Sequence, residues 1–185
     1  MEENKEMKIE ENKKLIEEFP FLLPRNRWTG EVSPDYDYSY TELDAMPYGW
    51  RKAFGIQMCQ EIKESLIKAN YLNEYRITQI KEKYGTLRWY DNGHTAEISD
   101  IIHKYEHLSM CYCIHCGKPV RYVTSGWIEY VCEDCKNADI TERHIVPEHF
   151  IRLTEEDIPH LYVYTSNGER TEKKYADFKK LWGLV

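Results

Sequence analysis

The middle of the chain contains two stretches in which apolar residues recur with the period of an α-helix. After Pro47, large apolar side chains fall four residues apart, at Trp50, Phe54, Met58, Ile62 and Leu66. This spacing places them on one face of a helix that we predict to run to about Ala69. Cys59 lies beside them and is predicted to be a small core residue. A second helix is predicted over Ala96–Leu108, because one face carries Ile98, Ile101, Ile102, Tyr105 and Leu108.

Between these two helices the pattern changes to that of β-strands. Two runs are rich in β-branched and aromatic residues, Arg76–Ile80 and Thr86–Tyr90. They predict an antiparallel hairpin that turns near Lys83-Tyr84-Gly85. The chain before Pro47 is less regular. Residues 1–18 are predicted to form a marginal amphipathic helix with a frayed start. Prolines at two positions forbid a continuous helix over 19–30, which is predicted to be an extended, packed strap.

Four of the six cysteines form two Cys-x-x-Cys pairs, Cys113/Cys116 and Cys132/Cys135, which are separated by fifteen residues. This is the spacing of a four-cysteine zinc ribbon. The residues between the pairs are β-branched and aromatic, which favours a hairpin that returns the second pair to the first. Four thiolates close a tetrahedron around one Zn²⁺ and leave no position for water. The predicted site is therefore structural, with one zinc per chain.

Disulfides, a thioredoxin-like redox pair and unliganded thiols are the alternatives for these four cysteines. Two matched pairs around a hairpin favour zinc over all three. Gly117 directly follows the second ligand and supplies the permissive backbone that the first pair needs. Cys111 precedes Cys113 by two residues. We predict that Cys111 is not a ligand, because Cys-x-Cys lacks the usual reach.

Together these patterns predict an α+β fold with two core helices, a small antiparallel sheet and a docked four-cysteine zinc ribbon. The expected segments are an N-terminal helix over 1–18, an α+β core over 19–110, the ribbon over 111–137 and a strand and helix extension over 138–185. No linker-like stretch separates Leu108 from Cys111, so the ribbon should be docked on the core. In the extension, Leu161–Thr165 is predicted to be a strand, and a closing helix is predicted from Tyr175, Phe178, Leu181 and Trp182.

The net charge of the chain is −7, which argues against broad, charge-driven binding to nucleic acid. The excess is concentrated at the N-terminal end, where residues 1–45 hold twelve Asp/Glu against six Lys/Arg. There is no signal-peptide pattern and no apolar run long enough to cross a membrane. Cysteines in zinc spacing fit a reducing compartment. We therefore expect a cytoplasmic protein that does not bind a membrane.

Acidic and aromatic residues are interleaved between positions 28 and 44. The candidate partner-binding residues are Trp28, Asp35, Tyr36, Asp37, Tyr38, Tyr40, Glu42 and Asp44, with Glu31 beside them. Tyrosine is enriched at protein interfaces, and carboxylates select a basic partner. The alternative is a solvated loop in which some of the rings turn inward.

One pattern resembles a catalytic motif. His103, Glu106 and His107 have the H-x-x-E-H spacing of inverted zinc peptidases. At about 100° per residue, both histidines should lie opposite the apolar face of their helix, in solvent. The chain also has little room for the large domain that this chemistry needs. We therefore expect no catalytic residues, and a zinc-dependent hydrolase is the weakest hypothesis.

Five longer strings are rich in Trp, Tyr and Gly. They are Phe19-Pro20 with Leu23-Pro24-Arg25-Asn26-x-Trp28-Thr29-Gly30, Asp35-Tyr36-Asp37-Tyr38, Pro47-x-Gly49-Trp50-Arg51-Lys52-Ala53-Phe54-Gly55, Lys81-x-Lys83-Tyr84-Gly85-x-Leu87-Arg88-Trp89-Tyr90, and Cys113-x-x-Cys116-Gly117-Lys118-Pro119. Through them, roughly residues 19–137 resemble a family of small uncharacterised proteins encoded in phages and prophages of Gram-positive bacteria. The resemblance implies a mobile-element origin and a host bacterial cytoplasm. Of site residues it carries over the four ribbon cysteines, as metal ligands.

Two further classes of function are compatible with these features. The first is a non-catalytic protein that binds a host or defence-system protein, for example as an inhibitor of a CRISPR nuclease. Its carboxylates would present the charge sign of phosphates to a basic channel. This hypothesis depends on the resemblance and the charge. The second is a nucleic-acid-binding regulator that would use ribbon residues, namely Lys118, Arg121, Tyr122, Trp127, Tyr130 and Lys136. Three basic and three acidic side chains in the ribbon give this alternative little support.

Overall fold

The computed structural model of the chain describes residues 2–120, 122–123 and 128–136, and the strand segments 151–152, 161–164 and 170–173. Three helical rods form the α part. The first is α1, Glu2–Glu18. The second comprises α2 (Tyr48–Trp50), a π-helical segment (Arg51–Gly55) and α3 (Ile56–Lys68). The third is α4, Ala96–Leu108. None of the helices in the described ranges is long and apolar enough to cross a membrane.

The second rod has the bounds that its sequence predicts, between the flanking residues Pro47 and Ala69. All five residues of its four-residue repeat are buried. A strict four-residue repeat drifts by about 40° per step on an ideal α-helix. The wider π-helical turn takes up part of this drift, so that Trp50 and Leu66 face the same core. The sequence pattern did not distinguish this π-helical turn from ordinary α-helix.

The predicted hairpin is formed by β1 (Ile77–Lys83) and β2 (Thr86–Asp91), which pair antiparallel. Lys83 pairs with Thr86, so the turn consists of Tyr84 and Gly85 alone. Both turn residues have positive φ, 54° and 77°, which is the geometry of a type I′ hairpin turn. Both strands run slightly further than the sequence predicts.

The strap differs from its prediction at Pro20. Instead of an extended segment, Pro20–Leu22 form a 3-10 turn, because the fixed φ of proline suits the first position of a helical turn. The strap is packed as predicted, with Phe19, Phe21 and Leu22 buried. A second 3-10 turn, Glu42–Ala45, contacts β1.

The core lies between the α2–α3 rod, α4, the hairpin and the strap. α3 packs on α4, and α4 packs on β2. The largest fully buried side chains include Trp50, Tyr75 and Tyr105. The Tyr75 hydroxyl accepts a hydrogen bond from Trp89 Nε1 at 3.0 Å and donates one to the Asp91 carboxylate at 2.9 Å. The polar tips of these rings are therefore satisfied inside the core.

The cysteine-containing module is docked directly on this core, as predicted. Its strands β3 (Tyr122–Val123) and β4 (Tyr130–Val131) pair antiparallel, and β5 (Ile151–Arg152) adds to the other edge of β3. The Gly49 N–H donates to the carbonyl of Ile114 at 2.9 Å. The Trp50 indole N–H donates to the carbonyl of Tyr112 at 3.0 Å. The chain therefore has the predicted α+β fold, to which α1 adds a third helix.

The part of the chain after residue 137 is described only as strands. β6 (Leu161–Tyr164) lies where the sequence predicts a strand, and it pairs antiparallel with β7 (Arg170–Lys173). The closing helix expected around Tyr175 and Trp182 lies outside the described residues.

Candidate metal centre and partner-binding surface

The first cysteine pair lies on a tight loop that follows α4. Tyr112 and Pro119 form a β-bridge that closes the base of this loop. Inside it, the Cys113 N–H donates to the carbonyl of Lys118 at 2.7 Å, and the Gly117 N–H donates to the carbonyl of Cys113 at 2.9 Å. Gly117 has φ +77°, a conformation that favours glycine. The loop therefore turns both thiols of the pair toward one side.

The second pair lies on a 3-10 turn, Glu133–Cys135, directly after β4. The N–H groups of Cys135 and Lys136 both donate to the carbonyl of Cys132 at 3.2 Å. The two pairs are joined by the Ile114 N–H, which donates to the carbonyl of Tyr130 at 3.1 Å. Backbone hydrogen bonds thus hold the second pair beside the first.

The sulfur atoms of Cys113, Cys116, Cys132 and Cys135 all lie within 4.8 Å of one another. For metal–sulfur bonds of about 2.3 Å, a tetrahedral site places the sulfurs about 3.8 Å apart. The separation of 3.4 Å between the sulfurs of Cys116 and Cys132 is too long for a disulfide, whose S–S bond is about 2.05 Å. All six cysteines are outside disulfides. The four thiols therefore fit one tetrahedral metal ion.

The thiols differ in their ease of ionisation. The pKa of Cys116 lies below the ordinary value of a thiol, at about 7. Burial raises it, but hydrogen bonds from the Lys118 backbone N–H and the three neighbouring thiols together lower it by more. Burial and the hydrogen bond with Cys116 raise the pKa of Cys132, and the same two effects raise that of Cys135. Backbone N–H groups directed at sulfur stabilise a thiolate, which is the form that binds a metal.

Cys111 and Cys59 lie outside the four-cysteine cluster. The Cys111 sulfur is 4.0 Å from the carbonyl of His107, at the end of α4. Cys59 is fully buried in the core, as predicted, and burial raises its pKa to about 12. The cluster therefore consists of the four cysteines that the spacing selects.

The surface of the module is largely neutralised by ion pairs. The Lys118 ammonium lies 2.5 Å from the Asp134 carboxylate, and the Lys136 ammonium lies 3.8 Å from the Glu133 carboxylate, so both lysines are paired within the module. The nucleic-acid hypothesis requires Tyr130 to be exposed on the ribbon, and this requirement is not met. Tyr130 is buried, because its ring packs beside Gly85 at the hairpin turn. The side chains of Arg121, Tyr122 and Trp127 lie outside the described residues.

The residues of the H-x-x-E-H pattern do not converge on one point. In the described part of the chain, the four cysteines are the one group of three or more metal-binding side chains. His103 is exposed, as predicted. The prediction that His107 lies in solvent is wrong, since it is half-buried and burial lowers its pKa. The physical reason is that β2 packs along α4 at this point, with Arg88 beside His107 and Glu106. The Nδ1–H of His107 donates to the His103 carbonyl at 2.7 Å.

Three tyrosines of the predicted partner-binding stretch form one cluster. The ring of Tyr36 lies 4.9 Å from that of Tyr38 and 5.4 Å from that of Tyr40 between centroids. The Tyr36 hydroxyl donates to the Tyr40 carbonyl, and burial raises its pKa to about 12. Asn12 on α1 donates to the Tyr38 carbonyl at 2.7 Å. The cluster is therefore ordered by contacts with its own backbone and with α1.

The carboxylates of the same stretch divide into two groups. Asp35 and Asp37 are exposed. The Ser39 N–H donates to Asp37 at 3.0 Å, and Lys5 of α1 contacts the Asp37 carboxylate at 3.7 Å. Asp44 instead accepts from the Thr41 N–H at 2.8 Å and forms an ion pair with Arg51. Glu42 is half-buried, and burial raises its pKa. Asp44 and Glu42 thus serve the fold, whereas Asp35 and Asp37 face solvent.

Trp28 is 89% exposed, and its surroundings differ from those that the sequence indicates. The cleft beside its turn is lined by Arg25, Arg27 and Arg76. Arg25 and Arg27 lie within three residues of Trp28 in the sequence, whereas Arg76 directly precedes β1 of the hairpin. In the sequence, Trp28 falls beside the carboxylates of positions 31–44, and nothing local indicates that Arg76 lies near Arg25 and Arg27. Alternation of Arg with Asn and Trp at positions 25–28 was the available signal.

The fold and the site define an α+β protein with a docked four-cysteine module that fits one metal ion. No family model, curated protein or solved structure matches the chain. The resemblance to phage-encoded proteins stays a prediction.

Proposed function

We propose that the protein is a non-catalytic protein with one structural zinc that acts by binding a basic surface of another protein. The observation that carries this proposal is the cluster formed by Tyr36, Tyr38 and Tyr40 next to Asp35 and Asp37. We call these five residues the acidic tyrosine surface. The proposed location is the cytoplasm of a host bacterial cell, in line with the phage-family resemblance.

Zinc is the proposed metal because the ligand set consists of four thiolates. Tetrahedral sulfur sites select zinc or iron over metals that prefer oxygen. With four protein ligands the coordination sphere is closed, so a bound zinc would be structural and could not activate water. Its proposed role is to hold the module against the α2–α3 rod.

The acidic tyrosine surface is suited to binding because it is already ordered. Ring contacts, the Tyr36–Tyr40 hydrogen bond and the Asn12–Tyr38 hydrogen bond restrain it. Ordering before binding lowers the entropy cost of forming a complex. Half of the Tyr40 side chain is exposed, so the surface offers aromatic area and two carboxylates together.

The partner class follows from the charge of this surface. Carboxylates attract Lys and Arg and speed the encounter with a basic surface. A channel that binds nucleic acid is the common surface of this type. We propose a host nucleic-acid-processing enzyme or a defence nuclease as the target, so that the protein works in the manner of an anti-CRISPR inhibitor. The local charge and the phage-family resemblance support this choice.

The nucleic-acid-binding ribbon has weaker support. Lys118 and Lys136 are engaged with carboxylates of the same module, and Tyr130 is buried. A phosphate would have to displace Asp134 and Glu133 from these lysines. This competition reduces the affinity that the module could provide.

The charge-reversal pair Asp35→Lys/Asp37→Lys should abolish capture of the partner from host lysate on the immobilised protein. The physical reason is that repulsion replaces attraction at the point of contact. Captured proteins would be identified by mass spectrometry. The expected partner has a basic nucleic-acid channel, and added nucleic acid should compete with its capture.

The matched control is Glu64→Lys/Glu97→Lys, which makes the same charge change in the groove between α3 and α4. This control should retain capture. With the purified partner, higher salt should slow association, whereas Tyr40→Ala should mainly speed dissociation. The proposal is wrong if the Asp35/Asp37 variant captures the same proteins as the wild-type chain, or if Lys118→Ala/Arg121→Ala abolishes capture instead.

A further inference from the structure

The turn that carries Trp28 is held in a fixed shape. The Asn26 N–H donates to the carbonyl of Glu31, and the Gly30 N–H donates to the carbonyl of Asn26, both at 2.8 Å. The Asn26 side-chain oxygen accepts from the N–H groups of Trp28 at 2.8 Å and Thr29 at 3.0 Å. Asn26 also lines the cleft beside the turn. The backbone of Trp28 is therefore tied to one wall of that cleft.

Three guanidinium groups line this cleft. Arg25 donates to the Gly30 carbonyl at 3.0 Å, and Arg27 contacts the Thr78 carbonyl at 3.5 Å. The Arg76 guanidinium packs against Gly30 so closely that an added Cβ would lie 1.8 Å from its Nη1. A guanidinium has five N–H donors. Each of these arginines therefore keeps donors for a ligand.

The cleft carries a local positive charge within an acidic protein. Among the described residues, no carboxylate forms an ion pair with Arg25, Arg27 or Arg76, in contrast to Arg51 with Asp44. Glu42 is a carboxylate near this cleft, where it accepts a hydrogen bond from the Arg25 backbone and interacts with the charge of Arg27. One carboxylate charge offsets only part of three guanidinium charges.

Trp28 directly follows Arg27, one of the residues that line the cleft, and its flat ring is accessible to solvent. It is the most exposed of the large hydrophobic side chains in the described residues, whereas Trp50 and Trp89 are buried. Its indole is therefore not required for the core. Aromatic rings beside basic grooves stack nucleobases, and guanidinium groups bind phosphate in a bidentate manner.

We propose that Trp28 and the cleft of Arg25, Arg27 and Arg76 bind a nucleotide unit, with the phosphate on the guanidiniums and the base on the indole. An acidic peptide would satisfy the arginines but would leave the ring unused. The net charge of −7 opposes binding along a polyanion. The site therefore suits one or two nucleotides, either at the end of a single strand or as free nucleotide. This inference goes beyond the proposed function and does not depend on the acidic tyrosine surface.

The test is fluorescence anisotropy at low salt with a single-stranded thymidine octanucleotide that carries a 5′-phosphate and a 3′-fluorophore. Trp28→Ala should weaken binding by about tenfold, the typical effect of losing one stacked base. Arg25→Ala/Arg27→Ala should weaken it by at least as much. The matched controls are Tyr48→Ala, which removes another exposed ring, and Lys14→Ala/Lys52→Ala, which removes two exposed positive charges elsewhere. Both controls should bind within about twofold of wild type, and circular dichroism should show that all variants are folded.

Competition by thymidine monophosphate distinguishes the sources of the nucleotide. Displacement of the oligonucleotide assigns the site to any free nucleotide, whereas displacement by unlabelled oligonucleotide alone assigns it to a strand. Both results support the proposal. A glutamate octapeptide that competes as well as the oligonucleotide, with no loss of oligonucleotide binding in Trp28→Ala, would overturn it in favour of an acidic peptide. Absence of oligonucleotide binding by the folded wild-type chain would also overturn it.

Discussion

Replacing Cys132 by serine should abolish metal binding and lower the free energy of unfolding by several kcal/mol. Cys132 is buried and its sulfur belongs to the four-cysteine cluster, and serine is a poor ligand for zinc. A structural zinc contributes roughly 10–16 kcal/mol to the folding of small zinc domains. Loss of one of four ligands removes much of that contribution. Denaturant unfolding, with the metal content measured on the same samples, gives the result.

Cys111→Ser is the matched control for this prediction. It changes a thiol in the same loop region, but its sulfur lies outside the four-cysteine cluster. The control should retain full metal content and lose little stability. Equal losses in the two variants would show that the effect comes from packing around the loop and not from metal ligation.

Gly49→Ala should separate the cysteine module from the core, with a loss of about 3 kcal/mol or more. An added Cβ at Gly49 would lie 2.0 Å from the Cys113 carbonyl oxygen and 2.6 Å from the carbonyl of Ile114. These are backbone atoms, which cannot move away without breaking the Gly49–Ile114 hydrogen bond. Thermal unfolding and hydrogen exchange at residues 111–120 measure the effect.

Gly55→Ala, in the same helical rod, is the control that distinguishes the steric clash at Gly49 from the general effect of replacing a helical glycine by alanine. Its added Cβ would meet atoms no closer than 3.4 Å, which is ordinary contact. Since alanine favours helix over glycine by up to about 1 kcal/mol, this variant should be neutral or more stable. A Gly49→Ala protein as stable as Gly55→Ala would contradict the docking described above.

The helices and the hairpin could be predicted because their signals are local. The apolar repeat from Trp50 to Leu66 and the turn at Tyr84-Gly85 each require only neighbouring residues. The π-helical turn and the 3-10 turn at Pro20 were not predicted, because packing against the rest of the core selects them among similar local conformations. His107 was misplaced for the same reason, since β2 covers a side of α4 that the helix alone leaves open.

The candidate metal centre was predictable from cysteine spacing, which sets the geometry within each pair. The surroundings of the candidate partner-binding residues could not be predicted to the same extent. Asp44 looked like a surface carboxylate until the structure placed Arg51 beside it, on another element. The arginine cleft required Arg76, which is distant from Trp28 in the sequence. Contacts of this kind depend on the tertiary fold and have no local signature.

The most direct test of the proposed structural zinc is the metal stoichiometry of protein purified without added metal. Elemental analysis should find one zinc per chain, and native mass spectrometry should show that zinc binding displaces protons from the cysteine thiols. Removal of the metal by a chelator should undock the module. A folded, monodisperse protein that contains clearly less than one metal ion per chain, with four alkylatable thiols at Cys113, Cys116, Cys132 and Cys135, would contradict the account.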